Sequence, residues 1–497
     1  MNDHTTTEIE EIQEQAIIAL GREPFEIRKD VASDENSEEI DKIIQKGINV
    51  EGLKMSIPEK FYSYDPEYLL GFAKPTKTKY DRSPFLQRFF NADALCHEYF
   101  INELNKIKLP IRLSSLPFTQ INGVCFYSSN NNPVVLMNEG LLYIVPELLK
   151  HSLNFTCLRE IYDKIEEGGQ IGKKARSDLQ VIIENNISPF FEIYLQILGG
   201  EILASDMKTK LGRKYGPNSF ETWKIRQILE EKIRLDRGEN KHEARKASQK
   251  IGLVKKGRYF ATRGFYILLT GHEFSHFYRE HHKVRSNKEA QRNEKETKEF
   301  LKKIRTYTRN PTLPLNVLDS EHFLINQPTE VEADSDGLRC VVKYCLDNGL
   351  EDEDLAHAIK GALSAFVYME VTDRLANLCN TNLIQCEELR TMPEELRNAL
   401  YATEHPCPLS RVYLALDHVN WEGEYEIAKE YIADMWKDMH FTLDWIWCLI
   451  AENLYEGIQS HKFKVNCQMN RSELFKNFSA IGCFDDALLT NANINNS

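Results

Sequence analysis

The stretch "YILLTGHEFSHFYREHH", residues 266–282, contains the pattern that decides the fold of this chain. His272 and His276 are four positions apart, so on a helix both imidazoles lie on one face, and Glu273 stands beside the first of them. Two histidines in this arrangement can bind one metal ion while the adjacent carboxylate accepts a proton from a bound water. The pattern therefore predicts a helix with one Zn²⁺ ion, with His272 and His276 as metal ligands and Glu273 as the base.

The residues around the two histidines predict that this helix is buried. Phe265, Leu268 and Leu269 share the histidine face, whereas Ile267 and Phe274 lie behind it. Buried polar side chains need partners, because an unpaired polar group in an apolar setting costs on the order of 1–3 kcal/mol. A metal ion would supply one such partner.

A second stretch, "NQPTEVEADSDGLRCVVKYCLDNG" at residues 326–349, offers four carboxylates on one predicted helix. At 100° per residue, its apolar positions place Asp334 within the buried face and Glu330 at the edge of that face. We therefore expect Glu330 to be the third metal ligand, and Asp334 can accept the free ring N–H of a ligand histidine. Glu332 and Asp336 fall nearly opposite the apolar face, and we expect them to be solvated.

Length and composition indicate a globular protein with at least one large core. The chain has 497 residues, of which 42% are hydrophobic and 28% are charged. Its 11 cysteines are scattered without C-x-x-C pairs, which argues against a disulfide framework or a zinc finger and indicates reduced thiols. The first residues lack a secretory signal, and no segment reaches the roughly 20 apolar residues that span a bilayer. We therefore expect a cytoplasmic protein without a membrane partner.

The charge balance makes nucleic acid an unlikely partner. The net charge of -13 opposes electrostatic attraction to phosphate backbones. One segment, "KHEARKASQKIGLVKKGR" at residues 241–258, is strongly basic and leaves a nucleic-acid contact open. It contains no aromatic residues that could stack on bases, so a solvated helix face is the simpler interpretation.

The distribution of patterns along the chain predicts an α+β fold that is mostly helical, with a small antiparallel sheet. The sheet signal is "GVCFYSSNNNPVVLMNE" at residues 123–139, which indicates two strands joined by a turn. Four segments are predicted in order: an acidic, partly disordered N-terminal arm at 1–60, a strand-containing and helical region that supports the site at 61–260, a metal-binding core at 261–420 with a charged excursion at 283–310, and C-terminal helices with a frayed tail at 421–497.

Three stretches of the chain together resemble the sequence blocks of the zincin metallopeptidases. "HEFSH" from residue 272, "EVEAD" from residue 330 and "EHPCPLSRVYLAL" from residue 404 are similar, in order and in kind, to their H-E-x-x-H, E-x-x-x-D and H-P-x-x-x-x-R blocks. The chain most resembles the Lit-type phage-exclusion peptidases and, more distantly, the CAAX prenyl-protease type. The resemblance covers residues 272–416, with a longer and more charged segment between the first two blocks than in the Lit-type proteins.

The resemblance implies a zincin-like catalytic domain with the same three ligands and the same base. It places Asp334 beside the ligands, makes His405 the donor to the oxyanion and gives Arg411 a structural role in support of His405. An imidazole N–H directed at the carbonyl oxygen stabilises a tetrahedral intermediate, and the loss of such a contact costs about 3 kcal/mol of barrier.

The function that the resemblance implies is that of a zinc-dependent endopeptidase acting on an intracellular protein. In the Lit-type case the substrate is a translation elongation factor, cleaved in a self-sacrificing antiviral response. We expect the substrate to lie as an added strand along Val134 to Met137. Two alternatives stay open: a zincin-like sensor or regulatory binding protein that uses the metal structurally, and a peptidase of the ImmA-like kind that cleaves a repressor.

Overall fold

A computed structural model describes the chain over residues 4–19, 23–25, 78–81, 83–116, 123–138, 140–145, 149, 155–198, 241–286, 321–380, 408–418, 421 and 424–460. The chain divides into two compact units. We call them the sheet unit, which comprises Met1–Leu142, Leu269–His281 and Gln468–Ser497, and the helical unit, which comprises Tyr143–Leu268 and His282–Cys467.

The described residues are mostly helical, as the sequence predicts, and they include a small three-stranded sheet. The first elements in chain order are α1 (His4–Ala19), α2 (Ser83–Asn102), β1 (Arg112–Leu116), β2 (Gly123–Tyr127), β3 (Pro133–Asn138) and α3 (Gly140–Tyr143). They are followed by α4 (Phe155–Glu167), α5 (Gly169–Ile182), a π-helical turn (Ile183–Ile187), α6 (Ser188–Leu198), α7 (Lys241–Tyr278) and α8 (His281–Ser286). The last helices are α9 (Glu321–Asp347), α10 (Asp352–Asn380), α11 (Pro408–His418) and α12 (Glu424–Gln459).

The sheet is mixed, with β3 in the centre, parallel to β1 and antiparallel to β2. The predicted β2–β3 hairpin is confirmed, with Tyr127 opposite Pro133 and Asn131 in the left-handed conformation of the turn, at φ 57°. The sequence predicts a small antiparallel sheet, and the sheet is mixed because it includes the parallel strand β1, which was not predicted. Its sequence, "RLSSL", has two serines in five residues and lacks a strong strand pattern. Since Val134 and its neighbours pair on both sides, β3 cannot accept an added substrate strand, and that expectation was wrong.

Each face of the sheet is covered by helical residues of the sheet unit, because side chains alternate between the two faces of a strand. On one face α1 contributes to a fully apolar cluster of Ile9, Ile12, Ala16, Leu116, Phe126, Val134 and Leu136. On the other face Tyr127 packs edge-on against Phe277 of α7, with ring centroids 5.1 Å apart. The sheet therefore supports the end of α7 that contains the H-E-x-x-H pattern.

The N-terminal helix α1, which together with residues 23–25 is the described part of the predicted arm at residues 1–60, is hydrogen-bonded to the rest of the sheet unit. The Gln13 side chain donates hydrogen bonds to Asp81 at 3.1 Å and to the Ser115 carbonyl at 2.8 Å, and it accepts one from Thr78 at 2.7 Å. Glu8 accepts hydrogen bonds from the backbone and hydroxyl of Ser129 in the hairpin turn. Residues 4–19 thus form part of the folded sheet unit.

In the helical unit, α9, α10, α11 and α12 pack against one another, and α4 and α6 pack against α12. The largest fully buried side chains of this core are Trp436, Trp447, Tyr194, Tyr368 and Phe190. Helix α11 begins at Pro408, a residue suited to the first helical position because it has no N–H to leave unsatisfied. None of the described helices combines the length and apolar character that a bilayer crossing requires.

Helix α7 is fixed in the helical unit by a close crossing with α10. A Cβ atom added at Gly264 would collide with the carbonyl oxygen of Ala358, and one added at Gly361 would collide with that of Ala261. The two backbones are therefore in direct contact, which only residues without side chains allow. This reciprocal contact positions the helix that contains the H-E-x-x-H pattern.

Four sequence predictions concern residues outside the described ranges. They are the N-terminal arm from residue 26 to residue 60, the oxyanion donor His405, the charged excursion beyond residue 286 and the C-terminal tail beyond residue 460. The basic segment 241–258 forms the start of α7.

Candidate metal centre

The two histidines of the H-E-x-x-H pattern lie side by side on α7 with their Nε2 atoms facing each other. These atoms are 3.3 Å apart, and the rings are nearly perpendicular, with an interplanar angle of 82°. His272 is buried and His276 half-buried. The four-residue spacing on the helix therefore places both nitrogens close enough to bind the same ion.

Glu330 on α9 completes the cluster that the sequence predicts. One ligand atom from each of His272, His276 and Glu330 lies within 4.8 Å of the other two. Glu330 is buried, so its carboxylate requires polar or charged partners. The three side chains together can hold a metal ion.

The outer ring nitrogen of His276 has a partner that the sequence analysis missed. Its Nδ1 lies 2.8 Å from Nδ1 of His281, which is buried although it lies just past the end of α7. The sequence offered a weak signal, since "REHH" places a histidine five residues after His276, but five residues is not a helical contact spacing. The sequence predicted Asp334 for the role of accepting a ring N–H, and at His276 the structure shows an imidazole in that position.

The carboxylate of Glu273 lies against strand β2. Its Oε2 is 2.7 Å from Sγ of Cys125, which donates, and the same Sγ lies 3.3 Å from the Glu273 carbonyl oxygen. A Cβ at Gly123 would stand 2.7 Å from Oε1 of Glu273 and 2.9 Å from Sδ of Met137. Position 123 therefore has to be glycine for Glu273 to keep this orientation, and no pattern in the sequence indicated either contact.

Arg411 on α11 binds Asp334, which lies one turn after Glu330 on α9. Its Nε and Nη2 atoms each donate to a carboxylate oxygen of Asp334 at 2.7 Å, and Nη2 lies 3.9 Å from Oε2 of Glu330. All three side chains are buried. The bidentate contact fixes both carboxylate oxygens of Asp334, because the planar guanidinium matches their geometry. The resemblance gave Arg411 a structural role in support of His405, and its bond in the structure is to Asp334.

Glu332 and Asp336, the two carboxylates of α9 that the sequence predicts to be solvated, differ from each other. Glu332 is half-buried, whereas Asp336 is fully buried. The expectation that Asp336 is solvated was wrong, because α9 is packed by α10, α11 and α12 and has no fully solvent-facing side at that position.

A buried polar chain supports the last turn of α7 within the sheet unit. Tyr278 shares a hydrogen bond of 2.6 Å with Nδ1 of His97 and accepts one of 3.2 Å from the backbone N–H of Leu109. Nε2 of His97 lies 3.6 Å from Asp93. Burial lowers the pKa of His97 to about 4 and raises the pKa of Asp93 well above its ordinary value.

Models of protein families, curated proteins and solved structures were compared with the chain, and none of them matches it. The class of site is therefore defined by its own residues. They are two imidazoles and a carboxylate that can hold one metal ion, with a second carboxylate, Glu273, next to the first imidazole in the chain.

Proposed function

We propose that the protein is a zinc-dependent endopeptidase in which His272, His276 and Glu330 hold the ion and Glu273 is the base. The observation that carries the proposal is the convergence of the three ligand atoms within 4.8 Å, with Glu273 adjacent to one of them on α7. Two histidines and one glutamate form a ligand set of catalytic zinc sites, which keep a fourth position open for water or substrate.

The spacing of the nitrogens supports zinc. With Zn–N bonds of about 2.0–2.1 Å, two ligands at a tetrahedral angle are separated by about 3.3–3.4 Å. The Nε2 atoms of His272 and His276 are 3.3 Å apart. Magnesium and calcium favour oxygen ligands, so two imidazoles argue against either ion.

The proposed chemistry is hydrolysis of a peptide bond. A divalent ion in such a site supplies a Lewis acid and a water that is nucleophilic at neutral pH. Glu273 accepts the proton of the attacking water and delivers it to the leaving amine. The resemblance makes His405 the donor to the oxyanion. Because β3 is paired on both sides, a substrate strand would instead pair beside β2, the outer strand whose residues Gly123 and Cys125 lie against Glu273.

The substrate class comes from the resemblance alone. It implies an intracellular protein, with a translation elongation factor as the first candidate, and a role in the response to phage. The experiment is to express the wild type and Glu273→Gln in bacterial cells, with and without phage challenge, and to compare the new protein N-termini. Cuts found only with the wild type support the proposal and identify the substrate. Identical N-termini in both strains, in both conditions, contradict it.

The metal assignment has its own test on purified protein. We expect Glu273→Gln to retain one equivalent of zinc and Glu330→Ala to lose it. Glu332→Ala is the matched control, because Glu332 lies on the same helix, is half-buried and is not one of the three clustered side chains. A Glu330→Ala protein that retains one equivalent of zinc contradicts the ligand assignment.

One observation favours the alternative of a regulatory protein with a structural metal. The thiol of Cys125 lies against Oε2 of Glu273, an atom that a base needs for its water. Under this alternative the metal is retained and Glu273→Gln leaves the cellular effect unchanged. The comparison of wild type with Glu273→Gln therefore separates the two functions.

A further inference from the structure

His281 lies just after the break that separates α7 from α8. The helix ends at Tyr278, Glu280 takes the left-handed conformation at φ 58°, and α8 begins at His281. This turn directs the His281 ring toward His276, with ring centroids 5.0 Å apart, and leaves the side chain only 2% exposed. The adjacent His282 is exposed.

The contact between the two rings fixes where the protons are. Nδ1 of His276 and Nδ1 of His281 are 2.8 Å apart, so one of them donates and the other accepts. Nε2 of His276 faces Nε2 of His272, and a ligand nitrogen must be unprotonated. In the neutral imidazole of His276 the proton is then on Nδ1, which makes His281 Nδ1 the acceptor.

We infer that His281 is a positioning residue for the metal ligand His276: it accepts the Nδ1–H bond, holds the ring in one orientation and presents Nε2 to the ion. Ligand histidines commonly donate this second N–H to a carboxylate or a carbonyl, and loss of such a partner lowers metal affinity by 10–100-fold. A neutral imidazole can fill the same role, because its unprotonated ring nitrogen accepts a hydrogen bond. The inference rests on the metal centre of the proposed function and does not require peptide cleavage.

The test compares two substitutions of similar shape. The Oδ1 atom of asparagine is as far from Cβ as Nδ1 of histidine and can accept the bond, whereas leucine fills the space without an acceptor. The variants are His281→Asn and His281→Leu, with His282→Leu as the control for an exposed histidine one position away. Zinc affinity is measured by competition with a chromophoric chelator, and the visible spectrum of the Co²⁺-loaded proteins reports the ligand geometry.

We expect His281→Leu to bind zinc 10–100-fold more weakly and to change the Co²⁺ spectrum. His281→Asn should recover most of the affinity and the wild-type spectrum, and His282→Leu should match the wild type. Equal affinities for the Asn and Leu variants, whether both strong or both weak, overturn the inference, because the acceptor would then make no difference. If the wild type itself binds no zinc, the metal centre of the proposed function fails, and the inference fails with it.

Discussion

Asp334 in the helical unit and Asp81 in the sheet unit are both buried carboxylates, but their partners differ in kind. Asp334 accepts two hydrogen bonds of 2.7 Å from the guanidinium of Arg411. Asp81 lies among neutral donors at 2.8–3.1 Å, which come from Gln13, Thr78, Ser114 and Ser115.

The difference determines how each carboxylate responds to the loss of a partner. Asp334 depends on one cation, so removing Arg411 would leave a buried charge without its counter-ion. At Asp81 the stabilisation is shared among several donors, each worth on the order of 1 kcal/mol or somewhat more. Burial raises the pKa of Asp81, and the hydrogen bonds from its donors act in the opposite direction. Asp334, one turn after the proposed metal ligand Glu330, therefore has a concentrated arrangement with one strong partner. Asp81, where α1 joins the sheet, has a distributed arrangement with several weaker partners.

The largest effect is expected for Arg411→Leu, which leaves the Asp334 carboxylate buried without its partner. We expect a loss of about 3–5 kcal/mol in the free energy of unfolding, measured by denaturant titration of metal-free protein. The double variant Asp334→Asn/Arg411→Leu should recover most of this loss, because position 334 then has no charge; the longer Arg411–Glu330 contact of 3.9 Å is still lost. A single-variant loss below about 1 kcal/mol would contradict the concentrated arrangement.

Asp93 provides a third arrangement, in which the partner is His97, a base that can lose its proton. The folded pKa of His97 is about 4, so between about pH 6.5 and pH 4 only the unfolded chain protonates this residue, and stability falls as the pH falls. Asp93 acts in the opposite direction, because its raised pKa lets the folded chain take up a proton at a higher pH than the unfolded chain does.

We expect the two effects to offset each other in the wild type and to separate in single variants. Asp93→Asn should lose on the order of 3 kcal/mol of unfolding free energy between pH 6.5 and pH 4, because only the lowered pKa of His97 then acts. His97→Gln should show the reverse, a stability that rises as the pH falls toward the ordinary range of an aspartate. The measurement is the unfolding free energy of the wild type and both variants across this pH range. Three identical slopes against pH would show that neither residue contributes to the pH dependence of stability.

A smaller effect is expected for Asp81→Asn. The carboxamide replaces one accepting oxygen by an N–H₂ group that faces other donors, so we expect a loss of about 2 kcal/mol in denaturant unfolding. Asp347→Asn is a suitable control, because Asp347 pairs with Lys343 at a position that is partly exposed. A loss as large as that of Arg411→Leu would show that Asp81 is not the distributed case.

The smallest effect is expected for Ser115→Ala, which removes one donor of the Asp81 group. The hydroxyl is 2.8 Å from Asp81, and the backbone N–H of Ser115 donates to the same carboxylate at 2.9 Å and remains in the variant. We expect a loss of about 1 kcal/mol, read from the shift of the denaturation midpoint. A loss equal to that of Asp81→Asn would mean that a single donor carries the whole interaction.

The parts of the site that could be predicted from sequence are those set by spacing along one helix. His272 and His276 share a face because four residues make about one turn, and the same rule placed Glu330 and Asp334 on the buried side of α9. The hairpin was predicted from its turn residues. In each case the pattern of residues within one helix or one turn was sufficient for the prediction.

The contacts that the sequence did not indicate connect residues with no periodic relation. Arg411 binds Asp334 across 77 positions, and Cys125 meets Glu273 across 148 positions. His281 reaches His276 only because Glu280 takes a left-handed conformation, which is uncommon for a residue other than glycine. Such contacts depend on the tertiary fold, and a single sequence does not encode them in a pattern.

The crossing of α7 and α10 also sets the axial register of α7. Sliding α7 by one residue would replace Gly264 at the crossing with Arg263 or Phe265, and neither fits where a single Cβ would already collide with the Ala358 backbone. Gly264 lies eight residues before His272, which corresponds to about 12 Å along the helix. Gly264 on α7 and Gly361 on α10 therefore fix the axial position of α7 against α10 within the helical unit.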